Sequence, residues 1–140
     1  MDDIKKGLYG SRSRDTFRFM HKKLNPKFYA SDGDLILVSF DPPGIVAYLD
    51  YKQVNDSITV TEKLLYNEWC SSTPVYIIQG DKPELGQFDI YRYIKSDIRE
   101  KELLEFSTSV YSWDEYSNWE MELRNQYKYY NGNWRKNIIP

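Results

Sequence analysis

The first part of the chain carries apolar residues at helical spacing. Within residues 12–24, Phe17, Met20 and Leu24 occupy positions i, i+3 and i+7. This spacing places the three side chains on one face of a helix. Asn25-Pro26 follows, and proline cannot continue a helix, so the pattern predicts a first helix over residues 12–24.

Two apolar runs with strand character come next, separated by a strong turn signal. Residues 34–40 and 45–52 are rich in branched apolar side chains. Between them, Asp41-Pro42-Pro43-Gly44 combines the fixed φ of proline with the conformational freedom of glycine. The pattern predicts a β-hairpin in which Phe40 lies opposite Ile45, so that the numbers of opposite residues sum to about 85.

The middle of the chain predicts a second helix followed by two strands. Asp56 or Ser57 is suited to cap a helix that ends at Trp69. Its expected buried face contains four residues at helical spacing, which are Ile58, Thr61, Leu65 and Trp69. Residues 58–61 also fit a strand, which leaves the start of this helix open. Residues 73–79 and 88–94 read as short strands.

The last third of the chain predicts a long helix rich in aromatic residues. Residues 97–106 are acidic and only weakly periodic, and they favour a short helix. Ser112-Trp113-Asp114-Glu115 has the form of a capping box. The expected buried face of the helix that it opens consists of Tyr116, Glu120, Leu123, Tyr127 and Tyr130. The order of elements predicts a single α/β domain over residues 1–140, with a core at about 12–95 and a helical extension at about 96–140.

Composition narrows the chemistry that the chain can perform. The single Cys70 and single His21 exclude an internal disulfide and a zinc site built from Cys and His. No apolar run approaches the roughly 20 residues of a membrane span, and no secretory signal is evident. We therefore expect an intracellular, cytoplasmic protein without a membrane partner. Any catalysis is expected to use carboxylates, lysine or a metal with oxygen ligands.

Charge is distributed unevenly along the chain. The first 30 residues carry eight Lys and Arg against three Asp, a balance of +5, whereas the net charge of the whole chain is -2. A basic first helix suits a phosphate backbone, although a solvated helix face is the simpler interpretation. The candidate nucleic-acid contacts are Arg12, Arg14, Arg18, Lys22 and Lys23.

The end of the second hairpin strand carries the most informative residues. Alternation along a strand places Tyr48, Asp50 and Lys52 on one face. The expected pairing brings Asp34, at the start of the first hairpin strand, opposite Asp50 and Tyr51. Two carboxylates at this place suit Mg²⁺, and a lysine beside them suits the stabilisation of a phosphate or the activation of water. A strand-end salt bridge is the alternative interpretation.

Asp34, followed after fifteen residues by Asp50-Tyr51-Lys52, resembles the motif of the PD-(D/E)XK nuclease superfamily. In that superfamily the hairpin is followed by a helix and a further buried strand. The resemblance covers about residues 12–80 and implies a restriction-endonuclease-like fold with a mixed central sheet. It implies a Mg²⁺- or Mn²⁺-dependent nuclease that hydrolyses phosphodiester bonds in nucleic acid, with DNA as the expected substrate and RNA left open.

The resemblance also implies residue roles. Asp34 and Asp50 would be the metal-binding acids, the carbonyl of Tyr51 a further metal ligand, and Lys52 the catalytic lysine; Asp15 and Gln53 are possible additional site residues. The chain departs from the family pattern in three ways. Gly33 precedes Asp34 where proline is common, the first helix offers Asp15 where many members have Glu, and Glu62 stands where some members begin a Gln-x-x-x-Tyr on the second helix.

A different class of function remains open. The chain has 16% aromatic residues, many of them near the C-terminus. The C-terminal aromatic residues are Trp113, Tyr116, Trp119, Tyr127, Tyr129, Tyr130 and Trp134. They fit either a helix packed on the sheet or a surface that stacks bases or meets a protein. The alternative function is a non-catalytic α/β module that contacts a protein partner or nucleic acid through its aromatic and acidic C-terminal region. A homodimer is a possible assembly for either function.

Overall fold

The computed structural model of the protein describes residues 16, 17, 20, 29, 30 and 35–132. Thr16, Phe17 and Met20 are helical, as expected for this part of the chain, and the rest of the predicted first helix lies outside the described residues. Among the helices that are described, none is long and apolar enough to cross a membrane.

The described residues form an α/β structure built on one mixed sheet. Its strands are β1 (Tyr29–Ala30), β2 (Leu35–Phe40), β3 (Pro43–Lys52), β4 (Val75–Gln79), β5 (Phe88–Ile94) and β6 (Leu103–Val110). They lie side by side in chain order, and neighbours are antiparallel except for the parallel pair β3 and β4. Helix α1 (Val60–Trp69) connects that parallel pair, and helix α2 (Trp113–Tyr129) follows the last strand. The α/β class predicted from the sequence is confirmed.

The hairpin forms as predicted, but its register differs from the prediction. Only Asp41 and Pro42 form the turn, so Phe40 pairs with Pro43 instead of Ile45. A bulge between Leu37 and Val38 then shifts the pairing by one residue. Pro43 and Gly44 thus belong to β3, where a side chain at Gly44 would collide with the hydroxyl of Tyr127. The approach of α2 therefore explains why glycine occupies this strand position.

Helix α1 presents a different face to the sheet from the one predicted. Thr59, rather than Asp56 or Ser57, caps the helix, and a complete capping box links it to Glu62. Leu65 was expected to be buried but is exposed, whereas Tyr66 and Lys63 are buried. The reason is that Tyr66 donates to Asp50 at the end of β3, and Lys63 reaches the carbonyl of Glu100 in the loop before β6.

The segment after β5 is a strand and not a short helix. Residues 97–102 form a loop, and Leu103–Val110 pairs with β5 along its whole length. The prediction of a helix at 97–106 is therefore wrong, because pairing with a neighbouring strand overrides weak local periodicity. β6 and α2 extend the same sheet and core past residue 95, so residues 103–129 do not form a separate helical extension.

Helix α2 confirms the face that was predicted from its spacing. Ser112 caps the helix by accepting a hydrogen bond from the Glu115 amide, although the Glu115 carboxylate bonds to the amide of Tyr111 instead of completing the capping box. Its buried residues are Tyr116, Glu120, Leu123 and Tyr127. Tyr130 is half-buried and packs against the same core.

The core lies in two clusters on opposite faces of the sheet. The larger cluster is rich in aromatic rings and includes Phe17, Tyr51, Phe88 and Tyr116. The smaller cluster lies under α1 and consists of Ile58, Tyr66, Val75, Ile77 and Tyr93, with Tyr48 and Trp69 packed against it. The sheet is thus covered by α2 and Phe17 on one face and by α1 on the other.

Candidate functional site

The end of β3 places two charged side chains inside the protein. Tyr48, Asp50 and Lys52 lie on the α1 face, as the alternation of the strand predicts. Tyr48 stacks on Trp69 of α1 with ring centroids 4.2 Å apart. Asp50 and Lys52 are only 2% and 6% exposed. Buried charges of this kind require partners, because removing them from water is costly.

Helix α1 supplies those partners from two successive turns. The Lys52 ammonium donates to both carboxylate oxygens of Glu62, at 2.8 and 2.9 Å, and lies 3.5 Å from Asp50 Oδ2. The hydroxyl of Tyr66 donates to the same Asp50 oxygen. We call these four residues, Asp50, Lys52, Glu62 and Tyr66, the polar cluster.

Local sequence explains why α1 presents Glu62 and Tyr66 together. The two residues are four positions apart, so they lie on the same side of the helix. Glu62 is also the third residue of the helix, where its Oε1 accepts a hydrogen bond of 2.9 Å from the Thr59 amide. The Glu62 carboxylate therefore caps the first turn of the helix and binds Lys52 at the same time.

Electrostatics favour the ionised form of Glu62. Burial taken alone raises the pKa of this carboxyl, but the hydrogen bonds from Lys52 and from the Thr59 backbone, together with the positive charge of Lys52, outweigh that effect. The net result is a pKa below the ordinary value. Glu62 thus serves as a lasting counter-ion for the buried ammonium.

The described residues include only some of those predicted for the site. Asp34 and Asp15 lie outside the described residues, as do all five basic residues proposed for the first helix. Asp50 and Lys52 lie close together, as predicted. The side chain of Tyr51 points to the opposite face, where it stacks on Phe17 at 4.8 Å and donates to the carbonyl of Gly80.

Gln53 has a local structural role. Its backbone amide donates to the carboxylate of Asp56 at 3.1 Å, and its backbone carbonyl accepts from the backbone amide of Asp56 at 3.0 Å. These two bonds form the turn that leads from β3 toward α1. The backbone of Gln53, which directly follows Lys52 of the polar cluster in the sequence, therefore belongs to this turn.

Sequence reasoning gave no role to Glu62 and Tyr66, which turn out to be half of the polar cluster. The available signal was their spacing of four residues on a predicted helix that follows a strand ending in Asp-x-Lys. That spacing matches the Gln-x-x-x-Tyr pattern, from which the chain departs by having glutamate in place of glutamine. In the structure Glu62 forms an ion pair with Lys52, so the negative charge of the glutamate has a role at this position.

A cavity of about 630 Å³ opens beside Lys52. The segment between β3 and α1 forms one wall through Asn55 and Ile58, and the sheet forms the floor through Ile77, Gln79 and Tyr91. The loop before β6 and the start of that strand form the other wall through Lys101, Glu102 and Leu104. A volume of this size falls within the range of roughly 300–1,000 Å³ that is typical of small-molecule sites.

The wall before β6 is tied to α1 by polar contacts. The buried ammonium of Lys63 donates to the carbonyl of Glu100 at 2.6 Å. Asn67 bonds to both the carbonyl and the amide of Ser96, at 2.8 and 3.1 Å, and accepts from the Tyr93 hydroxyl at 2.9 Å. The cavity therefore has a wall that is held in place at several points.

The polar cluster has part of the chemistry that a magnesium site requires. Asp50 offers a carboxylate held in a fixed position by Tyr66, and Mg²⁺ binds proteins through one or two carboxylates together with water and substrate phosphate. No group of three or more His, Cys, Asp or Glu side chains with metal-binding geometry occurs within the described part of the chain. The described residues thus supply one hard oxygen ligand, that of Asp50, of the set that Mg²⁺ requires.

Two further sequence expectations concern Cys70 and the C-terminal aromatic residues. Cys70 is half-buried at the end of α1, and burial raises the pKa of its thiol, in keeping with a small packing residue instead of a nucleophile. Trp113, Tyr116 and Trp119 pack into the larger core cluster, whereas Tyr129 is exposed. Trp134 lies outside the described residues.

Comparisons with known proteins gave no match. Neither protein-family models, nor curated proteins, nor solved structures show significant similarity to this chain. The functional interpretation therefore depends on the geometry of the site and on the resemblance of its motif.

Proposed function

We propose that this protein is a small metal-dependent nuclease of the PD-(D/E)XK type, which hydrolyses phosphodiester bonds in nucleic acid, with DNA as the expected substrate. The observation that carries the proposal is the polar cluster at the end of β3. A lysine that is 6% exposed lies between two carboxylates and opens into a cavity large enough for a ligand. Charges buried in this way are typical of functional sites.

The order of elements also supports the proposal. A hairpin ends in Asp50-Tyr51-Lys52, a helix follows, and the next strand, β4, lies parallel to β3. This matches the order of hairpin, helix and buried strand that the motif resemblance implies. Glu62 and Tyr66 add contacts at the helix positions where some members of the superfamily carry their own site residues.

The proposed metal ligands are Asp34, Asp50 and the carbonyl of Tyr51, with Mg²⁺ or Mn²⁺ as the ion. The bound ion supplies charge stabilisation at the phosphate and a more acidic water molecule. Tyr66 fixes the Asp50 carboxylate by its hydrogen bond, which holds a ligand in one orientation. Asp34 lies outside the described residues, so its part in the ligand set stays a prediction.

Lys52 is proposed to stabilise negative charge on the phosphate that is attacked. Its ammonium has three donors, and the two hydrogen bonds to Glu62 orient it along the face of the sheet. A preorganised cation in a water-poor site stabilises developing charge more than the same cation in water. Glu62 and Tyr66 are positioning residues in this proposal, because they act through Lys52 and Asp50.

The test is a cleavage assay on the purified protein with single-stranded DNA, duplex DNA and RNA in the presence of Mg²⁺ or Mn²⁺. Wild type is expected to cleave at least one of these substrates, and Asp50→Asn is expected to lose cleavage because it removes the ligand charge while retaining an oxygen that accepts from Tyr66. Lys95→Met removes an exposed lysine and serves as the control that keeps activity. Thermal unfolding verifies that each variant is folded. The proposal fails if wild type cleaves no substrate with either ion.

A second candidate function is nucleic-acid or protein binding without catalysis. The observation that favours it is the exposure of β6, where Leu103 and Phe106 are 55% and 58% exposed. Because Trp113, Tyr116 and Trp119 are occupied in the core, the binding surface in this alternative would lie on β6 rather than on the aromatic face of α2. A wild-type protein that binds nucleic acid but never cleaves it would favour this alternative.

A further inference from the structure

We propose that the cavity beside Lys52 receives one unpaired nucleotide of a nucleic-acid strand, with its base against Tyr91 and its phosphate at Lys101. This inference rests on the proposed function and names its substrate class. The protein would then act on single-stranded or locally unpaired nucleic acid in preference to an intact duplex. Four features of the cavity carry the argument: its size, its apolar wall, its polar groups and its charges.

The size of the cavity fits a single nucleotide. Its volume of about 630 Å³ lies in the range of pockets that hold ligands of the size of a nucleotide. A base inside a duplex cannot enter such a pocket unless it leaves the stack, which costs a few kcal/mol of unpairing for each base. An unpaired base enters without that cost.

The floor and one side of the cavity provide an apolar, partly aromatic surface. Ile58 and Ile77 are buried, and the half-buried ring of Tyr91 lies beside them. Phe106 contacts Tyr91 in a T-shaped arrangement, with centroids 5.7 Å apart and planes at 72°, which fixes the orientation of the tyrosine ring. An oriented aromatic ring in a cleft is a stacking platform for a base, whatever the base is.

Polar groups line the same cavity beside these apolar residues. Gln79 pairs with Lys52 across the parallel strands β3 and β4, and Asn55 follows in the turn after β3. Amide side chains both donate and accept hydrogen bonds, as the edges of nucleobases do. A ligand with one flat apolar face and a polar edge therefore matches the cavity better than a purely apolar or purely anionic ligand.

The charges of the cavity suggest where the phosphates lie. Lys52 is buried at the inner end, and Lys101 is exposed in the loop before β6. Two lysines, one at the proposed site of cleavage and one at the rim, suit two successive phosphates of a strand. Glu102 at the same rim and Asp56 in the segment between β3 and α1 weaken this attraction, so removal of the Glu102 charge is expected to tighten binding.

The experiment measures binding without cleavage, by fluorescence anisotropy of a labelled 12-nucleotide DNA strand in buffer with EDTA. The wild type is expected to bind the single strand at least about 10-fold more tightly than the corresponding duplex. Tyr91→Leu keeps an apolar side chain but removes the aromatic ring, and it is expected to weaken binding by about 5- to 100-fold. Tyr91→Phe is expected to bind like wild type, and Tyr111→Leu, which removes an exposed tyrosine outside the cavity, is the control.

The charge variants test the rim independently. Lys101→Gln is expected to weaken binding of the single strand and to reduce its salt dependence by about one phosphate contact, whereas Glu102→Gln is expected to strengthen binding. Lys95→Gln serves as the control for removal of an exposed lysine. Thermal unfolding of every variant separates a loss of binding from a loss of fold.

Several outcomes would overturn the inference. The first is that the duplex binds as tightly as the single strand. The second is that Tyr91→Leu changes the affinity for the single strand by less than twofold. The third is that a free deoxynucleoside monophosphate binds as tightly as the strand. Cleavage by wild type with unchanged activity in Tyr91→Leu would refute the inference and leave the proposed function standing. Single-strand binding that depends on Tyr91, without any cleavage in Mg²⁺ or Mn²⁺, would support the nucleotide pocket and refute the proposed nuclease function.

Discussion

The two faces of β3 differ sharply although they are made by one run of residues. On the α2 face, Leu49 and Tyr51 join a cluster of apolar and aromatic side chains. On the α1 face, Asp50 and Lys52 are as deeply buried but are held by Glu62 and Tyr66. Strand alternation allows one strand to contribute to a hydrophobic core and to a charged site at once.

This difference separates stability from function. Apolar burial is the main favourable term in folding, so the α2 face is where we expect the stability of the protein to be concentrated. A buried ion pair contributes little net stability compared with well-packed apolar residues of similar volume. The α1 face therefore keeps its charges for a reason other than stability, and the adjoining cavity is compatible with the ligand chemistry that we propose.

The largest effect on stability is expected from Phe88→Ala on the α2 face. Phe88 is buried and its ring contacts four others, those of Phe17, Tyr51, Trp113 and Tyr116. Truncation removes these contacts and leaves a cavity, so the free energy of unfolding should fall by about 3–5 kcal/mol in urea denaturation. Phe40→Ala, which truncates a phenylalanine that is 72% exposed, should change it by less than about 0.5 kcal/mol. Equal losses in the two variants would contradict the assignment of the core.

A smaller effect on stability is expected from removing the cation of the polar cluster. Lys52→Met leaves the carboxylates of Asp50 and Glu62 without their shared ammonium. The free energy of unfolding should fall by about 3 kcal/mol, the lower end of the cost of breaking a buried pair, because the Glu62 side chain is 18% exposed. The double variant Lys52→Met/Glu62→Gln removes the charge of Glu62 and should regain part of that loss, because Asp50, the more deeply buried carboxylate, still lacks the ammonium. Both variants are expected to lack nuclease activity, which separates this face from the α2 face. Urea denaturation of Lys52→Met, Glu62→Gln and the double variant measures the coupling energy between Lys52 and Glu62. A double variant less stable than Lys52→Met would refute a favourable interaction between the two residues.

The alternation of β3 could be predicted from the sequence, whereas the register of its hairpin could not. The face on which Asp50 and Lys52 lie depends only on a period of two residues, which survives an error in the turn. The register depends on how many residues form the turn and on the bulge between Leu37 and Val38. Nothing in the local sequence of branched apolar residues indicates this bulge, so the predicted pairing is wrong.

Elements whose burial depends on their neighbours were also difficult to predict. In α1 the apolar residues Leu64 and Leu65 are exposed and Lys63 is buried, because Lys63 reaches a carbonyl in the loop before β6. The strand β6 has mostly exposed side chains and no apolar alternation, and it is defined by its pairing with β5. In both cases the deciding interaction is with a segment distant in sequence, so hydrophobic periodicity alone indicated a different outcome.

The smallest effect expected is a change in the pH dependence of stability in Glu62→Gln. The hydrogen bonds and charge of Lys52, with the Thr59 amide, hold the pKa of Glu62 below its ordinary value in spite of burial. The contribution of Glu62 to stability is therefore present above the ordinary pKa of a glutamate and is lost as the pH falls through the lowered pKa. Because this carboxylate is partly exposed, the contribution should be about 0.5–1 kcal/mol at neutral pH.

Urea denaturation of wild type and Glu62→Gln at a series of pH values from about 7 to about 3 measures this contribution. The difference in unfolding free energy between the two proteins should shrink as the pH falls, because wild type loses the charge that the variant lacks throughout. Glu68→Gln, which removes an exposed carboxylate from the same helix, is the matched control and should parallel wild type. A difference between wild type and Glu62→Gln that stays constant over this range would mean that the Lys52–Glu62 pair does not depend on the ionisation of Glu62. Lys52 would then need another counter-ion on the α1 face, and the contrast between the two faces of β3 would rest on Asp50 alone.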